Sequence, residues 1–186
     1  AEFFDVTKDS LEIFKDTAIM QSEYAKDINS YPTIFLSFAD AKGDKNNIVM
    51  QMKLQLLKEY KKNKQVLEHI DIFEKPGFDM VMKGMSDLQD ESLQGVVNAI
   101  SFLMTKCHQY YGKRVMLLID EYDTPFIEAH TQGFYDELRN SLASMLHTSL
   151  KTSNDLQYAM LTGIQRVAKE NIFSDLNNLS VCTVND

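Results

Sequence analysis

Apolar residues along the chain fall into short continuous runs separated by helical stripes. Residues 31–38 (YPTIFLSF) are β-rich and follow the turn pair Asn29-Ser30, which predicts a buried strand. The loop 40–44 (DAKGD) comes next, and Asn46 or Asn47 then caps a predicted helix to about Asn63, with Val49, Met52, Leu56, Leu57 and Tyr60 at helical spacing. Residues 70–85 have irregular spacing and contain Pro76-Gly77, so loops and short helices are expected there. From Ser92 onward Leu93, Val96, Val97, Ile100, Leu103, Met104, Cys107 and Tyr111 line one stripe, and Gly112 ends it. The run 115–119 (VMLLI) is continuously apolar, as a strand buried on both faces of a parallel sheet would be. Phe134, Leu138, Leu142, Met145, Leu146 and Leu150 predict another helix, and Asn154-Asp155 breaks it. Residues 157–161 (QYAML) read as a third strand, ending at Thr162-Gly163, and are followed by a polar helix over 165–171 and a last strand over 180–184. Strands alternating with helices of this length predict an α/β parallel sheet. There is no repeat, low-complexity tract or linker, so residues 1–186 read as one domain.

Composition narrows the function classes. The chain is 44% hydrophobic and 25% charged, which excludes general disorder. A net charge of −8 argues against a free-standing nucleic-acid binder. The longest apolar run, 115–119, is far short of the ~20 residues that span a bilayer, and residues 1–5 (AEFFD) show no basic n-region, so neither membrane span nor signal peptide is expected. Cys107 and Cys182 are too few for a disulfide framework, which suits a reducing, cytoplasmic setting. Cys107 lies on an apolar stripe and reads as an inert buried thiol, and the ten methionines read as core filler.

Chemistry concentrates where the central run meets acids. A hydrophobic strand that ends in Asp120-Glu121 puts two carboxylates at the carboxyl end of a strand, where open α/β sheets bind ligands. In P-loop nucleotide hydrolases such a first acid helps hold Mg²⁺ on the triphosphate and the second polarises the attacking water. Acids also commonly cap a strand exit, and the pattern alone leaves both readings open. At the end of the next strand Thr162 can orient water or sense a γ-phosphate, and Arg166 can stabilise phosphoryl charge; equally, Thr162 can cap a helix and Arg166 can face solvent. The four histidines form no HxxH or HExxH pair, and His130 is the one nearest the acids. The E-x-K triplet Glu59-Tyr60-Lys61 sits on a helix, which discounts a nuclease site, and Lys58, Lys61, Lys62 and Lys64 read as a solvated helix end.

Taken together, YPTIFLSF with DAKGD, residues 118–125 (LIDEYDTP), 161–166 (LTGIQR) and 172–178 (IFSDLNN) resemble the predicted AAA-ATPase-like family of bacteria and archaea. The resemblance covers essentially the whole chain and implies a P-loop NTPase-like fold of AAA/STAND type, a three-layer parallel sheet flanked by helices. It implies Mg²⁺-dependent ATP binding and hydrolysis, with Asp120 and Glu121 as the Walker B acids and Thr162 and Arg166 in the sensor region. Family members often carry a C-terminal domain resembling PD-(D/E)XK nucleases, through which alone nucleic acid would be met. They also carry a P-loop, but no Gly-x-x-x-x-Gly-Lys-Ser/Thr occurs here: Gly112-Lys113 is followed by Arg114, and Cys107 stands where the first glycine belongs. The chain begins without Met, so it reads as a piece of a longer protein, with Ala1 inside the helix after the P-loop and the first strand missing. Family sheets run five-one-four-three-two, and the three strands at 31–38, 115–119 and 157–161 correspond to two, three and four. Without strand one, strand four keeps an open edge, which residues 180–184 could fill, a second copy could pair with, or nothing could cover, leaving it frayed. Two readings of function follow: an ATPase core, inactive alone for want of a phosphate cradle, or a pseudo-ATPase that acts as a binding or regulatory module.

Overall fold

The computed structural model describes residues 1–151, 153–164, 180 and 182. After a four-residue turn of helix, α1 (Leu11–Phe14), the chain forms β1 (Thr33–Ser37) and α2 (Lys45–Lys62). Helices α3 (Lys75–Ser86) and α4 (Ala99–Tyr111) precede β2 (Val115–Asp120). Then come α5 (Thr124–Gln132), α6 (Tyr135–Leu150) and β3 (Leu156–Leu161). The three strands are parallel in the order β1-β2-β3, so the fold is α/β, with β2 central and its register running from Thr33↔Met116 to Ser37↔Asp120. On the other side Ile119 pairs with Leu161, and a bulge between Val115 and Met116 sets Gln157 outside the ladder. This is the contiguous arrangement expected for strands two, three and four.

Alternation along the strands decides which side chains enter the core. Ile34, Leu36, Leu117 and Ile119 are buried with the apolar faces of α2, α4 and α6, where Met52, Met104 and Met145 show no exposure. The opposite-facing Phe35, Tyr158 and Met160 are exposed, the last two by more than 60%. Gly112 closes α4 at φ +63°, a left-handed conformation that a β-carbon would strain, as its position after the stripe predicts. Cys107 is fully buried, and burial pushes its thiol up to about 12, so it is inert as expected.

Several expectations are corrected. Residues 1–9 form turns and one parallel bridge, Asp5↔Tyr31, rather than a helix; Asp5 accepts from Thr7 and pairs with Lys62 at 2.7 Å, while Asn29 Nδ2 donates to the Glu2 and Asp5 carbonyls. Lys62 therefore does not belong to the solvated helix end: its Nζ lies between Asp5, Glu59 and the Thr33 carbonyl. Helix α2 is capped by Asp44, which accepts from Asn47 N–H at 2.8 Å, rather than by Asn46 or Asn47. Residues 75–86 form one continuous helix, because Pro76 falls in the first turn, where the missing N–H costs nothing. The expected polar helix over 165–171, most of the strand over 180–184, and Arg166 lie outside the described residues.

Candidate functional site

The site is built where β2 ends. Asp120 is the last residue of β2, and its carbonyl accepts from Phe38 N–H at 3.0 Å, which anchors the β1 exit beside it. Glu121 follows at φ +51°, a left-handed conformation that costs a non-glycine residue about 1 kcal/mol and reverses the chain sharply. Backbone bonds on both sides hold it there: Tyr122 N–H donates to the Thr162 carbonyl at 3.1 Å, Thr124 N–H to the Glu121 carbonyl at 3.1 Å, and Thr162 N–H to the Ile119 carbonyl at 2.9 Å. Strain retained at the exit of a central strand is characteristic of working sites. The reversal launches α5 with Pro125 in its first turn and Phe126 and Ala129 in the core.

The parallel register delivers Thr162 to Asp120. The Thr162 hydroxyl donates to Asp120 Oδ1 at 2.5 Å, and the same oxygen accepts Glu121 N–H at 3.1 Å. A hydroxyl has one proton, so Thr162, while donating to Asp120, meets any other group as an acceptor. Thr124 Oγ1 donates to Glu121 Oε2 at 3.2 Å. Asp123 is 1% exposed, and a β-carbon on Gly163 would lie 2.5 Å from Asp123 Oδ1. Only glycine allows that approach, which explains the Thr-Gly pair at the β3 exit: it locks the β3 loop onto the β2 loop.

Three of the four residues singled out from sequence, Asp120, Glu121 and Thr162, thus meet in one network. His130 is exposed and lies edge-on to the Tyr135 ring, with centroids 6.0 Å apart; both line a cleft of about 490 Å³ with Gly133 and Phe134. Thr124, Asp123 and Gly163 join the site without a motif that marks them in the sequence. The spacing of Thr124, three residues after Glu121 at the start of a helix, was the available signal. Glu59 of the E-x-K triplet is buried and paired with Lys62, a structural role.

Among the described residues no group of three or more His, Cys, Asp or Glu side chains is arranged to hold a metal, and no helix is long and apolar enough to cross a membrane. The family model described as Predicted AAA-ATPase matches residues 1–173. An "Uncharacterized protein in vnfD 5'region" of Azotobacter chroococcum mcd 1 is 32% identical over 83 residues, 44% of this chain. The aligned stretch is 16% of that protein's length. No solved structure gives a significant match.

Proposed function

Because the chain belongs to the Predicted AAA-ATPase family, we propose that it is the acid-bearing core of a P-loop-type nucleotidase that binds MgATP and hydrolyses it. The observation that carries this reading is the pair Asp120-Glu121 at the carboxyl end of the central strand, with Thr162 of the adjacent strand bonded to the first acid. The donor set fits Mg²⁺, a hard cation commonly held by one or two carboxylates with substrate phosphates completing its shell. When bound, Mg²⁺ offsets charge on the phosphates. Asp120 is the residue that would hold it, with its orientation fixed by Thr162 and by Glu121 N–H. Glu121 takes the proton of the attacking water, Thr162 can accept from that water while donating to Asp120, and Arg166 offsets phosphoryl charge. Backbone donors and a lysine for the phosphates would come from a longer protein, since this chain carries no P-loop motif. The two unpaired cysteines suit a cytoplasmic location.

Calorimetry tests the reading. A longer protein that adds the phosphate-binding segment is expected to bind MgATP in the micromolar range, and Asp120→Asn should weaken that binding about tenfold or more only when Mg²⁺ is present. The 186-residue chain alone should show no low-micromolar affinity. Tight binding by the chain alone, or an Asp120→Asn variant of unchanged affinity, overturns it.

The missing phosphate-binding motif favours one second reading, a non-hydrolysing module that acts through protein contacts. With it goes an assembly expectation. Among the described residues β3 pairs only with β2, so a second copy is expected to add to its other edge. Light scattering should give a mass above the monomer that falls towards it on dilution; a monomeric mass at high concentration rejects the pairing.

A further inference from the structure

We propose that Thr124 is the positioning residue for Glu121, holding the carboxylate at the β2 exit as Thr162 holds Asp120. The inference rests on the reading of Glu121 as the water-activating acid. Each acid of the site has its own threonine: Thr162 Oγ1 donates to Asp120 Oδ1, and Thr124 Oγ1 donates to Glu121 Oε2 at 3.2 Å.

The two partners have little freedom to separate. Glu121 sits at φ +51°, so the turn dictates where its side chain departs, and Thr124 N–H closes that turn on the Glu121 carbonyl at 3.1 Å. Pro125 follows directly with its fixed φ, and Asp123 is buried on the other side. The hydroxyl is thereby carried on the same turn as the carboxylate it contacts. An unrestrained glutamate samples many rotamers, and only a few present an oxygen to a water in line for attack. One neutral donor fixes the carboxylate while taking one of its roughly four acceptor sites, so the remaining sites can receive water. A neutral threonine does this without the competing charge that lysine or arginine would bring.

The test uses a longer protein that adds the phosphate-binding segment and is first shown to turn over ATP, with a spectroscopic measurement on the present chain beside it. Thr124→Val should lower kcat about tenfold, short of the roughly hundredfold that a 1 Å misplacement can cost. MgATP affinity by calorimetry should stay within about twofold of the parent, because Asp120 is untouched. Thr124→Ser, which keeps the hydroxyl, should restore kcat. In ¹³C spectra of the labelled chain, the Glu121 carboxyl signal, assigned by its loss in Glu121→Gln, should move in Thr124→Val and stay in Thr124→Ser. An unchanged kcat in Thr124→Val, a loss that Thr124→Ser does not rescue, or an unmoved signal overturns the inference. If Glu121→Gln itself keeps full turnover, the hydrolytic reading of the acid and this inference fall together. If Glu121→Gln abolishes turnover and Thr124→Val does not alter it, the positioning role alone falls.

Discussion

On the proposed hydrolytic reading, replacing Glu121 with glutamine is expected to lower kcat about 10²- to 10⁴-fold in a longer protein that adds the phosphate-binding segment, the range that general-base removal typically produces. Nucleotide binding should be retained. Glutamine has the shape of glutamate and keeps an oxygen to accept from Thr124, so the β2 exit keeps its geometry. What it lacks is a site that can take a proton. Asp120, one residue earlier and bonded to Thr162, is untouched, so metal-assisted binding has no reason to change. The measurements are steady-state phosphate release and MgATP calorimetry on the same preparation. A kcat equal to the parent's removes Glu121 from the chemistry, and a parallel loss of binding makes it a structural residue.

The largest stability effect is expected far from the site, at Lys62. Its ammonium lies 2.7 Å from Asp5 and 3.5 Å from Glu59, and the two carboxylate side chains are only 3% and 6% exposed. Removing the cation leaves two buried acids without their counter-charge, which typically costs about 3–5 kcal/mol. Because Lys62 keeps 27% of its surface, Lys62→Met should fall near the lower end, a drop of about 6–12 °C in Tm at pH 7. The direction of the pH response separates this mechanism from a packing defect. Burial alone would raise Asp5, but its bonds to Lys62 and Thr7 outweigh burial and hold it below the usual carboxylate range. Its contribution is therefore present at neutral pH and is lost only as pH falls through that depressed value. Burial dominates at Glu59 and raises it, so its contribution grows as pH falls through the raised value. At Lys62 burial lowers and the carboxylates more than reverse it, so its contribution is lost only on the alkaline side. Without Lys62 both acids are pushed upward, and the folded state then takes up protons more readily than the unfolded. Lys62→Met should thus recover stability between pH 7 and pH 5, and Glu59→Gln in that background should abolish most of the recovery. A variant that melts lower at pH 5 than at pH 7 contradicts the account.

What the sequence made legible was set by how local the cause is. The run VMLLI needed both faces covered, and turn residues bounded YPTIFLSF and QYAML, so all three strands were readable to within one or two residues of the observed β1, β2 and β3. Residues 75–86 form a helix despite Pro76 because a proline breaks a helix only beyond its first turn, and the helix start is not marked by a local cap. The nine-residue α5 leaves no periodic signal, because Phe126 and Ala129 give too short a stripe. The coil at the chain start depends on Asn29 and Lys62, partners far along the sequence, and no local pattern announces them. The site divides in the same way. Acids at a strand exit are a local signal. That Thr162 donates to Asp120, or that Gly163 must lack a β-carbon to admit Asp123, follows from the pairing of β2 with β3, which is decided by the whole sheet.

The wiring of that sheet has a consequence for how the molecule comes into being. Strands β1 and β2 are parallel neighbours, yet residues 38–114 lie between them, carrying α2, α3 and α4. Strand β3 in turn waits on α5 and α6. Ladders closed over such long separations form slowly, after the local helices have nucleated and found one another. Phe38 N–H reaches Asp120 only across the first ladder, and Thr162 reaches it only across the second. The acid at the centre is therefore gripped from both sides by the last long-range contacts to form, and a half-folded chain has carboxylates but no site.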